Sequence, residues 1–84
     1  MKIKKSVAIS ESGFIFNPST GDSFTVNPLG IEIFNMLKEE KDYEEICKTI
    51  LANYNTDETT FEKDYNDFIG MLNLHLLIDH GDEK

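Results

Sequence analysis

Phe14-Ile15-Phe16, Asn17-Pro18-Ser19-Thr20-Gly21, Asp22-Ser23-Phe24-Thr25-Val26 and Asn27-Pro28-Leu29-Gly30 follow one another without a break, and this stretch decides the fold. The first and third pieces alternate as strands do. Phe14 and Phe16 share one face, Phe24 and Val26 share one face, and Ile15 and Thr25 point the other way. The five residues between them, with Asn-Pro at one end and Gly at the other, are hairpin punctuation. Asn27 suits the cap of a following helix, and Pro28 suits its first position, where a missing N–H leaves nothing unpaired. Leu29, Ile33, Phe34 and Leu37 then form an apolar helical stripe. A two-stranded hairpin is marginal by itself, so the helix is expected to fold back onto the aromatic face.

Working outward, Ile3, Lys5, Val7 and Ile9 share parity, so Lys2 to Ser10 reads as a strand, joined to the hairpin through Glu11-Ser12-Gly13. The result is a three-stranded antiparallel meander. The first helix is expected from about Pro28 to Lys38 or Glu40. A second starts at Asp42, where Asp-Tyr-Glu-Glu is an acidic capping box, and carries Tyr43, Ile46, Cys47, Ile50, Leu51 and Tyr54 on one stripe. Asn53 and Asn55 suit its end, and the short gap before it makes a helix-turn-helix pair. A third helix follows, capped at Thr59 or one turn earlier at Thr56 or Asp57, with Phe61, Tyr65, Phe68, Ile69, Leu72 and Leu76 on its apolar face. Gly70 points away from that face. Leu76-Leu77-Ile78 is read as tucking back onto the core, and residues 79–84 as a frayed tail. The expected fold class is therefore α+β: one small winged-helix-like domain over residues 1–84, in the order βββααα.

The 84 residues hold 16 acidic against 8 basic side chains, a net charge of −8. The charge is unevenly placed. Residues 1–30 carry three lysines against two acids, whereas residues 31–84 carry five lysines against fourteen acids, a net −9. Such a helical half attracts cations and repels phosphate. A winged helix that reads DNA lays its third helix in the major groove, yet residues 57–67 here set Asp57, Glu58, Glu62, Asp64 and Asp67 against Lys63 alone. That argues against nucleic acid as a partner. The single cysteine, Cys47, allows no internal disulfide, and no apolar run has the length of a signal peptide or a membrane span, so the expected setting is cytoplasmic, away from membranes.

Catalytic chemistry is not argued by these residues. Cys47 lies on an apolar stripe and reads as a buried, inert thiol. His75 and His80, near Asp79 and Asp82, admit a metal site as the lesser reading, but zinc wants three or four ligands in fixed geometry and a solvated tail is the expectation. Asp64 and Asp67 read as a solvated helix flank, and Gly13, Gly21 and Gly30 as turn and packing glycines. The expectation is no catalytic residue, no metal and no cofactor.

The ordered set Asn17-Pro18-x-Thr20-Gly21, Phe24-x-Val26-Asn27-x-x-Gly30-x-x-Ile33, Ile46 with Leu51 and Tyr54, and Asp64-x-x-x-Phe68-Ile69-x-x-Leu72 resembles the PqqD family, the peptide chaperones also called RiPP recognition elements. The resemblance runs from Val7 to Ile78. One departure is Leu76, which stands where such proteins often have a glycine shortly before the last apolar pair. The resemblance implies a non-catalytic binder of a precursor peptide's leader segment, which delivers that peptide to a tailoring enzyme, commonly a radical-SAM protein. It also implies that the leader adds as a strand beside the third strand, in a groove walled by the third helix. The strand residues concerned are Asp22, Ser23, Phe24, Thr25 and Val26, which can form an open sheet edge. Phe61, Asp64, Tyr65 and Phe68 are the candidates for the wall. The competing reading is an acidic adaptor that pairs with another protein, or with itself as a homodimer through the exposed edge.

Overall fold

The structure, a computed structural model, describes residues 2–79. In chain order it has β1 (Lys2–Ile3), β2 (Ala8–Ile9), β3 (Phe14–Asn17), β4 (Asp22–Thr25), α1 (Pro28–Lys38), α2 (Tyr43–Asn53), α3 (Glu58–Leu74) and β5 (Ile78–Asp79). The antiparallel sheet β2-β3-β4 precedes the three helices, which is the expected α+β order. The strand expected over Lys2 to Ser10 is instead two short ones. A turn closed by the Val7 N–H donating to the Lys4 carbonyl, 3.1 Å, separates them. It frees β1 to pair with β5, placing Lys2 opposite Asp79 and Ile3 opposite Ile78. Ile3, Val7 and Ile78 are all buried, so the break lets both ends of the chain contribute to the core. Asp79, expected in a frayed tail, is thus a strand residue; residues 80–84 lie outside the described part.

The hairpin departs from expectation by one residue, and that residue changes which face is which. Asn17 belongs to β3 and stands opposite Asp22, so Phe16 pairs with Ser23, Ile15 with Phe24 and Phe14 with Thr25. Directly opposed residues lie on the same face of a sheet, and a one-residue slip sends every side chain to the other side. Ile15 and Asn17 therefore point inward and are fully buried, whereas Phe14 and Phe16 remain 45% and 43% exposed. The helices cover the Ile15–Phe24 face, not a face carrying all the phenylalanines. The cause is local: the Asn17 side chain accepts the Ser19 N–H at 3.0 Å, and its carbonyl accepts the Gly21 N–H at 2.8 Å. That shortens the loop to Pro18–Gly21. The buried Nδ2 of Asn17 has no hydrogen-bond partner among the described residues.

The helices begin where the caps say. The carboxamide or carboxylate of Asn27, Asp42 and Asp57 accepts the N–H of Gly30, Glu45 and Thr60, at 2.8, 2.9 and 2.8 Å. The third helix therefore starts at the earlier of the two expected positions. Its far end carries Leu76 at φ +61°, with the Leu77 N–H donating to Leu72 and the Leu76 N–H to Asn73. This is a Schellman stop, whose left-handed residue is normally glycine. The stop buries Leu77 and Ile78 but turns Leu76 outward, 58% exposed, so only two of the three expected residues return to the core.

Between the sheet and the helices lie Ile15, Ile33, Phe34, Leu37, Ile46, Ile50, Phe61, Leu72 and Leu77, each essentially without exposed surface. Gly30 sits where α1 crosses β4 and α3. A Cβ there would meet the Val26 Cβ at 3.0 Å and the Phe68 ring at 3.3 Å, so its absence lets the three elements close together.

Candidate functional site

In an antiparallel ladder, hydrogen-bonded pairs alternate with pairs whose backbone groups point outward. The Val26 N–H donates to the Gly13 carbonyl at 2.9 Å, making that pair an inward-pointing one. Stepping along the register, Phe24 with Ile15 is again inward, and Ser23 and Thr25 are outward. The other side of β3 agrees, since the Ser10 N–H donates to the Phe14 carbonyl across to β2. Among the described residues β4 has a neighbour on one side only, so the N–H and C=O groups of Ser23 and Thr25 face an open edge.

α3 runs beneath that edge. Its buried stripe, Phe61, Tyr65 and Leu72, faces the core. A second stripe, Asp64, Asp67, Phe68, Met71 and His75, recurs at helical spacing and stays exposed or half-buried. Two contacts orient it against β4: the His75 ring lies 4.7 Å from the Phe24 ring, and Phe68 lies against Gly30. The stripe therefore begins near the start of α1 and ends under the middle of β4. At its acidic end is a cleft of about 320 Å³, where Asn27, Leu29, Gly30 and Ile33 face Asp64, Asp67 and Phe68. Its floor is apolar and its α3 rim carries two carboxylates. Asp67 already meets Lys63 at 3.3 Å, an exposed pair.

The sequence candidates divide under this geometry. Ser23 and Thr25 present backbone to the open edge, Phe24 and Val26 pack inward beneath it, and Asp22 is exposed at the hairpin end. Asp64 and Phe68 line the cleft. Phe61 and Tyr65, also expected in the wall, do not line the cleft. Phe61 is fully buried and Tyr65 is 8% exposed; they face Tyr43 of α2, with ring centroids 5.7 and 4.9 Å away. Burial holds the Tyr65 phenol above its ordinary pKa, as that placement requires. Conversely, Asn27, Leu29 and Asp67 line the cleft, and Asp67, Met71 and His75 lie on the second stripe; sequence reasoning left all five out of its candidates. For Asp67, Met71 and His75 the signal was a second stripe on α3, about a quarter-turn from the core stripe; Asn27 and Leu29 lie at the start of α1, and no sequence pattern marked them for the cleft. Among the described residues, no group of three or more metal-ligating side chains gathers, there or elsewhere. No described helix is long and apolar enough to cross a membrane.

The family described as Coenzyme PQQ synthesis protein D (PqqD) matches residues 13–78, a span from the hairpin through all three helices to the start of β5. This chain belongs to the PqqD family. Among solved structures, TbiB1 in complex with the TbiA(beta) leader peptide superimposes with a TM-score of 0.80 and 34% identity, over 98% of this chain and 100% of that one. No curated protein matches at a significant level. In this PqqD-family chain the matched span contains the whole of β4, the cleft and the second α3 stripe, whereas β1 and β2 fall outside it.

Proposed function

We propose that this chain is a non-catalytic recognition element that binds an extended segment of a precursor peptide's leader as an added strand on β4. The bound peptide would then be presented to a modifying enzyme, with the radical-SAM class as the first candidate. One observation carries the reading: an open strand edge, with the backbone of Ser23 and Thr25 turned outward, lies over a half-exposed helical stripe. Strand addition takes its affinity from such backbone groups and its specificity from alternate side chains that enter neighbouring pockets. The family membership and the leader peptide bound to TbiB1 support the same reading.

The test is a titration of isotope-labelled protein with peptides selected from a displayed random library. Binding should shift and protect the Ser23 and Thr25 amides, and Thr25→Pro should abolish it by removing an outward donor. Binding that leaves both amides unmoved would contradict strand addition. Self-association through the same edge is a second reading, favoured by the exposed Phe14 and Phe16 beside it. A net charge of −8 on each copy opposes it. Sedimentation equilibrium separates the two, since pairing of copies would depend on protein concentration without any peptide.

A further inference from the structure

Resting on the strand-addition reading, we propose that the α3 stripe reads a short ordered pattern in the added strand: a basic residue, then apolar residues two and four positions later, from N- to C-terminus. The stripe from Asp64 to His75 spans eleven helical steps, about 16 Å at 1.5 Å each. A strand advances about 3.3 Å per residue, so roughly five peptide residues lie along it. Alternate residues of a strand share a face, so three of the five point down onto α3.

What they meet is set by the chemistry of the stripe. At one end is the cleft, with Asp64 and Asp67 on its rim and Leu29 and Phe68 on its floor. In the middle are Phe68 and Met71, half-buried and apolar, and at the far end the tilted His75 ring packs against Phe24. An arginine or lysine fits the first position, because its aliphatic stem can lie along Phe68 and Leu29 while its head reaches the carboxylates. The start of α1 does not reverse this preference, since the Gly30 N–H that would attract an anion already donates to the Asn27 side chain at 2.8 Å. The Lys63–Asp67 pair does not block it either, being exposed and of little strength. Apolar side chains suit the second and third positions.

Direction follows from the sheet. Every described pairing is antiparallel, and antiparallel ladders are the more stable per residue. β4 runs toward α1, so an antiparallel peptide begins at the cleft and ends toward the hairpin. The basic residue therefore comes first.

The experiment uses the full chain and random peptides about twelve residues long, enough to cover the stripe with flanks. Selected binders should share a Lys or Arg at one fixed place, two residues before an apolar one. In a selected peptide, replacing that residue by glutamine should weaken Kd by about two- to fivefold, the upper range for an exposed ion pair. The same replacement should have no effect on protein carrying Asp64→Asn with Asp67→Asn, because the cycle removes only the shared interaction. Binders with no fixed cation, or a glutamine penalty unchanged in the double variant, would overturn this inference. In that case shifts at Ser23 and Thr25 would leave strand addition standing. A library that yields no binder at all would overturn both.

Discussion

Ile15 and Phe16 are neighbours in β3, and the register makes opposite predictions for them. Ile15 is fully buried among the helices, so Ile15→Ala removes apolar atoms and leaves a cavity, at a cost of about 2–5 kcal/mol. Phe16 is 43% exposed on the outer face opposite Ser23. Phe16→Ala forfeits only part of the roughly 1.5–3 kcal/mol that full burial of such a side chain brings. No cavity forms, because water fills the place, and the expected cost is about 1 kcal/mol. In a domain of this size each kcal/mol moves the melting temperature by about 4–8 °C. Thermal melts followed by circular dichroism should therefore show a loss of about 5 °C for Phe16→Ala and at least 10 °C for Ile15→Ala. Should Ile15→Ala leave no folded protein, Ile15→Val gives a gentler reading, about 0.5–1.5 kcal/mol. Equal losses at the two positions, or a larger one at Phe16, would refute the register and with it the assignment of Ser23 and Thr25 to the open edge.

Gly13→Ala should destabilise the fold by about 1–3 kcal/mol in a denaturant titration. Gly13 has φ +92°, and a Cβ there would lie 2.5 Å from the Val26 carbonyl oxygen. Gly70→Ala should do the reverse, raising stability by about 1 kcal/mol, because the site is a helix interior open to solvent. Asp57 caps α3, and the Thr60 N–H holds its carboxyl below the usual range. Its charged form therefore contributes stability that is complete above the ordinary carboxylate pKa and fades as pH falls through the lower folded value. The melting-temperature gap between wild type and Asp57→Ala should accordingly be widest near neutrality and narrow in acid.

Much of the fold was legible because it was encoded locally. Asn27, Asp42 and Asp57 sit at helix starts, and each capping bond joins residues only three apart in sequence, so it needs no distant partner. The register of the hairpin was not, because it depends on whether Asn17 ends the strand or begins the loop. Alternating phenylalanines look like a core face, yet the single Ile15 and the Asn17 amide took that side. The split of the first strand was equally hidden, since β1 pairs with a segment at the other end of the sequence. At the candidate site, two of the residues read from the sequence, Asp64 and Phe68, line the cleft beside the open β4 edge. The sequence could not separate them from Phe61 and Tyr65. All four lie on one broad helical arc, and only the placement of α2, with Tyr43 against Phe61 and Tyr65, decides which part of it is covered. Leu76 is instructive in another way: a leucine where glycine is customary still forms the left-handed stop, held there by the burial of Leu77 and Ile78.

The central claim, that a peptide adds as a strand on β4, is tested most directly by amide hydrogen exchange on the complex with a library-selected peptide. The Ser23 and Thr25 amides, open to solvent in the free protein, should become protected on binding. The Phe24 amide, already turned toward β3, should change little. Protection confined to α2, with Ser23 and Thr25 exchanging as in the free protein, would contradict the claim.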